Sequence, residues 1–163
     1  MVHRGVPPPA YVRRRHHFAV TDAGSGQLLG TVGLKKTDWP TRVSEVGYWS
    51  APWARGRGVT AEATRALGEW LLGEQGFQRL QLFAATGNTA SQRVAEKAGF
   101  QREGILRNAG YVHAGLVDLF VFSLVPGDLE ELTQRGPAAM SRALVVHWSW
   151  HGEGDGAAVA GGG

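Results

Sequence analysis

The sequence predicts an α/β (α+β) domain built on a mixed β-sheet with two central helices. Three observations predict it. Strand-like and helix-like segments alternate in the order β β β α β α β β, which suits a mixed sheet carrying helices. Two segments of helical period each end in glycine followed by phenylalanine, at Gly76-Phe77 and Gly99-Phe100. A basic, glycine-rich turn, Arg55-Gly56-Arg57-Gly58, lies between a strand-like stretch (Arg42–Ser50) and the first of those helices.

Composition bounds the reading. A chain of 163 residues suggests one domain with a sizeable core. With no cysteine there is no disulfide framework, thiolate metal site or cysteine nucleophile, which fits a cytoplasmic protein. No apolar run reaches the roughly 18 residues of a membrane span, and Met1–Arg15 lacks the apolar core of a signal peptide. The net charge of +3 could suit nucleic acid, yet Arg4, Arg13, Arg14 and Arg15 carry much of it. A polyanionic ligand explains a basic turn equally well. Nucleic acid is therefore not the expected partner.

Residues 1–15 hold Pro7-Pro8-Pro9 and a basic cluster running into His16-His17, so they read as an extended arm. Phe18–Val20 and Leu28–Leu34 flank the turn cluster Asp22–Gly26 and read as a hairpin. Lys35–Thr41 reads as a loop, and Val43–Ser50 as a third strand that Pro52 stops. Val59, Ala63, Ala66, Leu67, Trp70 and Leu71 fall on one helical face, with Gly76 as the stop. Leu80–Ala84 is a strand. Asn88 is a good N-cap for a helix that packs Val94, Ala95 and Ala98 inward. Phe100–Val112 is a strand bent near Gly104 or Gly110, and Leu116–Leu124 is an apolar final strand interrupted by Asp118. Pro126-Gly127-Asp128 ends it, and Leu129–Leu144 is partly helical. Glu153–Gly163 is too rich in Gly and Ala to order itself. The expected division is a basic arm at 1–15, a domain at 16–130 and a C-terminal extension at 131–163.

The turn at 55–61 is where an anion can sit. The first N–H groups of a helix lack partners within it, and the helix dipole adds partial positive charge there. Gly56 and Gly58 let backbone approach a ligand. Arg55 and Arg57 bring forked donors suited to phosphate oxygens. No Gly-Lys-Ser/Thr follows, so this is not a Walker loop. Ala61 holds the third glycine position of a dinucleotide fingerprint, with no acidic residue on the expected second strand. A plain turn is the competing reading.

Arg55-x-x-Gly58-x-Thr60 resembles the acetyl-CoA pyrophosphate loop of the GNAT acetyltransferases, whose pattern is Gln/Arg-x-x-Gly-x-Gly/Ala. Glu45-Val46-Gly47-Tyr48-Trp49 before Ala51-Pro52, and Asn88-Thr89-Ala90-Ser91-Gln92-Arg93-Val94-Ala95-Glu96-Lys97-Ala98-Gly99-Phe100 after, are similar to the branch that acetylates ribosomal-protein N-termini. The resemblance runs from about Phe18 to Leu129. Thr60 departs from the pattern, which is tolerable where a backbone N–H makes the phosphate contact. The resemblance implies a splayed mixed sheet with acetyl-CoA lodged where two strands diverge. It implies cofactor contacts from Trp49, Ser50, Arg55, Gly56, Arg57, Gly58, Val59, Thr60, Asn88 and Ser91. The family also carries a strand and one or two helices ahead of the segment matching Phe18, which about 17 Pro- and Arg-rich residues replace here. The acceptor side is therefore expected to be short. A non-catalytic acyl-CoA-binding module is the alternative to an enzyme, and a ribosome- or RNA-associated protein is a third reading.

Acetyl transfer needs a bound thioester, a neutral amine, a polarised carbonyl and a proton for the thiolate. A backbone N–H on Val46–Ala51 could polarise the carbonyl. Glu45 is the candidate base; alternation places Glu45, Gly47 and Trp49 on one face. A solvent-facing strand glutamate is the plainer account of it, and a water chain could serve instead. Ser91 is the candidate proton donor to the thiolate, against a simple supporting role at the helix cap. Tyr111 and His113 lie near the last hairpin, where an acceptor pocket is plausible. The expected acceptor is a protein N-terminal amine or a small-molecule amine. No metal is expected, and a homodimer is left open.

Overall fold

The computed structural model describes residues 16–134 and 144–148. The expected arm at 1–15 and the Gly/Ala-rich tail lie outside the described residues. Among the described residues seven strands form one sheet in the order β5-β6-β4-β3-β2-β1-β7. They are β1 (His16–Asp22), β2 (Leu28–Asp38), β3 (Val43–Ser50), β4 (Arg79–Ala85), β5 (Gln101–Val112), β6 (Gly115–Leu124) and β7 (Leu144–Trp148). Among the described residues three helices accompany them: α1 (Val59–Gly73), α2 (Thr89–Lys97) and α3 (Pro126–Gln134). All pairings are antiparallel except β3 with β4, so the sheet is mixed as expected.

The core lies between one sheet face and the helices. Phe18, Val20, Val32, Leu34 and Val46 from the β1–β3 side meet Leu80, Leu82, Phe122 and Leu124 from the β4–β6 side. Val59, Ala63, Leu67 and Leu71 of α1 cover them, as the helical spacing predicts. Asn88 caps α2 by accepting the Ser91 N–H at 3.0 Å. Gly76 and Gly99 both take positive φ, and Phe77 and Phe100 donate back to Leu71 and Ala95. Each Gly-Phe pair is therefore a helix stop followed by an apolar anchor into the core.

Three boundaries differ from the sequence reading. β1 starts at His16, so the His pair belongs to the strand and not to the arm. β2 runs on to Asp38, through the expected loop, because an irregularity between Leu34 and Lys36 lets it stay paired with β3. Thr37 Oγ1 and Ser44 Oγ, 2.8 Å apart, fasten that extension. Pro126 opens α3 where only a stop was expected; a proline in the first helical turn gives up an N–H that has no partner anyway. The Asp128 carboxylate accepts the Val125 N–H at 2.8 Å and secures the turn. Within the C-terminal extension, β7 pairs with β1 from Phe18–Trp148 to Asp22–Leu144.

Candidate active site

The parallel junction of β3 and β4 is short. It pairs Val43 with Arg79, Ser44 with Leu80 and Glu45 with Gln81, and then stops. Beyond it β3 follows β2 as far as Gly30–Ser50, while β4 follows β6 as far as Ala85–Leu119. The two strands therefore part after Glu45 and Gln81 and leave a cleft between their far halves. Ala51 N–H donates to the Leu29 carbonyl at 2.9 Å. By two-residue alternation, the backbone groups of Ser50 and Tyr48 turn the other way, towards the cleft.

The basic loop stands at the end of β3. A short 3-10 turn at Pro52–Ala54 reverses the chain, and Arg55 and Arg57 are exposed beyond it. Gly56 and Gly58 both have φ of 75°, the left-handed region that favours glycine. Gly58 is the N-cap of α1 and makes no side-chain cap bond. A side-chain cap would satisfy the N–H groups that an anion needs, so a glycine cap suits an anion site. Val59 and Thr60 are buried in the first turn of α1, and the Thr60 carbonyl accepts the Thr64 hydroxyl at 2.7 Å. Thr60 therefore packs inward and leaves the loop surface clear.

A second helix start faces the cleft from β4. The Tyr48 hydroxyl lies 2.7 Å from both the carbonyl oxygen and the Oγ of Ser91. Tyr48 thus ties β3 to the first turn of α2 on the helix-covered side of the sheet. Burial pushes its hydroxyl pKa up, with the Ser91 hydrogen bond opposing. Tyr48 was missed in the sequence. Its signal was available, because alternation sends it to the face opposite Glu45, Gly47 and Trp49, where α2 packs.

Glu45 is on that opposite face, half-buried, with the Lys35 ammonium 3.3 Å from its Oε1. It is thus not a free solvent-facing carboxylate. Trp49 is exposed on the same face, and Ser50 is half-buried on the Tyr48 face. Glu45 and Ser91 accordingly stand on opposite sides of the sheet, with the cleft mouth between them. Tyr111 and His113 are exposed at the far hairpin. Asp118 plays a structural part. Its Oδ1 accepts the Asn108 N–H at 2.8 Å and holds the β5 irregularity between Leu106 and Gly110. Among the described residues no cluster of three or more metal-ligating side chains occurs, and no helix is long and apolar enough to cross a membrane.

The family model for the GNAT acetyltransferase domain matches residues 9–101, more than half of the chain. The protein belongs to the GNAT acetyltransferase family. It is 35% identical over 105 residues to a Bacillus subtilis (strain 168) protein provisionally named ribosomal N-acetyltransferase YdaF. It is 23% identical over 99 residues to the ribosomal-protein-serine acetyltransferase of Escherichia coli (strain K12). These matches cover 64% and 61% of this chain; it spans 57% and 55% of those relatives' lengths. A spermidine/spermine N-acetyltransferase from Vibrio cholerae shares the fold, with a TM-score of 0.66 at 20% identity over 78% of this chain and 75% of that one. The splayed mixed sheet expected from the GNAT resemblance is thus the fold observed.

Proposed function

We propose that this chain is an acetyl-CoA-dependent N-acetyltransferase whose acceptor is a protein N-terminal α-amine. The observation that carries the reading is the parting of β3 and β4 beside a glycine-capped helix start, in a chain of the GNAT family. Loop 55–60 holds the pyrophosphate through backbone N–H groups, with Arg55 and Arg57 adding charge. Trp49, Ser50 and Asn88 flank the pantetheine arm. A backbone N–H of the Val46–Ala51 segment polarises the thioester carbonyl, a contribution of about 3 kcal/mol when such a donor is fixed. Glu45 takes the proton of the ammonium. Ser91, oriented by Tyr48, returns a proton to the departing thiolate.

The acceptor class rests on chemistry and on relatives. An α-amine has a pKa near 8 and a lysine near 10.4, so the first needs less help from a single carboxylate. Two relatives carry names that refer to ribosomal acetylation. The working unit in this reading is residues 16–130, in the cytoplasm.

The test is calorimetry with acetyl-CoA, followed in the same sample by CoA release with N-terminal peptides and simple amines. Binding with release on peptides is expected. Arg57→Glu combined with Gly58→Asp is expected to weaken acetyl-CoA at least ~10-fold, since one charge-assisted contact is worth about 1.5–3 kcal/mol. Unchanged affinity in that variant would overturn the loop's role. Binding with no release on any amine would point instead to an acyl-CoA-binding module.

A further inference from the structure

Lys35 is the extra residue of β2. Leu34 pairs with Val46 and Lys36 with Glu45, so nothing on β3 stands opposite Lys35. A bulge of this kind re-aims a side chain. Here it sends the Lys35 arm across Gly47 to end with Nζ 3.3 Å from Glu45 Oε1. Glycine at 47 is what opens this trough, because a Cβ there would overlap Lys35 Cε and press on Cδ and Cγ. An alkylammonium lying in a trough, with its nitrogen 3.3 Å from the candidate base, stands beside the group that would deprotonate an amine acceptor. The pair also sits at the last rung of the β3–β4 ladder, where the cleft opens. The Lys35 side chain is 50% exposed and that of Glu45 only 14%, so the arm can swing while the carboxylate stays.

We propose that Lys35 is an acetylation site served by the protein's own active site, with Glu45 as the base. The inference rests on the acetyltransferase reading above. Glu45 takes one proton from the Nζ ammonium, and the freed lone pair attacks the thioester carbonyl carbon of acetyl-CoA. The N–C bond forms, the nitrogen sheds its second proton to solvent as the C–S bond breaks, and the thiolate takes a proton from Ser91, which solvent restores. Glu45 passes its proton to solvent. One ammonium and one acetyl thioester thus give one amide, one thiol and one released proton. The product carries no charge at Lys35, so the ion pair is lost and Glu45 is left free for an external amine.

The test incubates the full chain with acetyl-CoA and no added amine, and follows its three lysines, Lys35, Lys36 and Lys97, by intact mass and peptide mapping. Lys35 is expected to gain one acetyl group about 100-fold faster than Lys36 or Lys97, the scale of a positioned base. Glu45→Gln should slow Lys35 alone by about 100-fold. Gly47→Ala gives a second, independent probe, because its methyl displaces the end of a flexible arm and not backbone. It should slow Lys35 by about 100-fold through misplacement. Equal rates at all three lysines, or a Lys35 rate unmoved by both substitutions, overturns the inference. Calorimetry and CoA release on the same samples separate the two levels. Binding with release on peptides but an unmodified Lys35 sinks this inference and leaves the enzyme reading standing; no binding sinks both.

Discussion

A single hydroxyl joins the two sides of the cleft. Tyr48 has one proton to give, the Ser91 carbonyl and Ser91 Oγ both lie 2.7 Å from its oxygen, and given to Oγ it leaves the Ser91 proton free for the thiolate. That fixes where the Ser91 oxygen points, and the raised Tyr48 pKa keeps the donor protonated well into alkaline pH. Ser91→Ala should lower kcat about 100-fold, the lower end of a proton donor's worth, with acetyl-CoA affinity retained. Tyr48→Phe should lower kcat through loss of orientation, and stability by about 1–3 kcal/mol for the unmade bonds. Steady-state kinetics with calorimetry checks both; an unimpaired Ser91→Ala enzyme would remove Ser91 from the chemistry. Asn88 and Ser91 were legible because a cap is a local pattern. The face that Tyr48 takes was legible from alternation, but its bond to Ser91 was not, since that partner lies 43 residues away and only the tertiary fold brings them together.

At the scale of elements, the β4–β6–β5 side is tied by charge as well as by ladder bonds. Arg79 of β4 grips Glu103 of β5 with two hydrogen bonds of 2.8 Å, across the intervening strand β6. The Ser123 hydroxyl of β6 donates to the same carboxylate at 2.5 Å. The Arg79 bonds first, then Ser123, hold the Glu103 pKa at about 2 against its ordinary 4.5. A depressed carboxylate stabilises the fold fully above its unfolded pKa, and that contribution fades as pH falls through the folded value. Stability should therefore drop between about pH 4.5 and pH 2 in part because this triad is lost. Glu103→Gln should flatten that acid limb in denaturant melts at stepped pH, and an unchanged limb would show the triad contributes little, as exposed pairs often do. Strand identity here was legible from apolar runs bounded by turn residues, whereas the β2 extension was not. Lys35-Lys36-Thr37-Asp38 is polar throughout, and its pairing depends on one bulge and on the hidden Thr37–Ser44 bond.

At the scale of the whole molecule, the sheet is two antiparallel pieces, β7-β1-β2-β3 and β4-β6-β5, that share three parallel rungs and a cover of helices. In the proposed reading a ligand lodged in the cleft touches both pieces, since loop 55–60 belongs to the first and Asn88–Ser91 follows β4 of the second. Acetyl-CoA should therefore act as a staple. A ligand at one hundred times its Kd stabilises the native state by about 2.7 kcal/mol, provided it binds only the folded chain. Thermal melts should rise with acetyl-CoA concentration, and at the same concentration the gain should fall to about half or less in the Arg57→Glu, Gly58→Asp variant. Hydrogen exchange adds a spatial readout. Amides of Val46–Ser50 on β3 and of Thr89–Ser91 on α2 should slow together on binding, because one molecule spans both pieces. If β3 amides alone slowed, the ligand would be held by the first piece only, and the α2 start would not be part of its site.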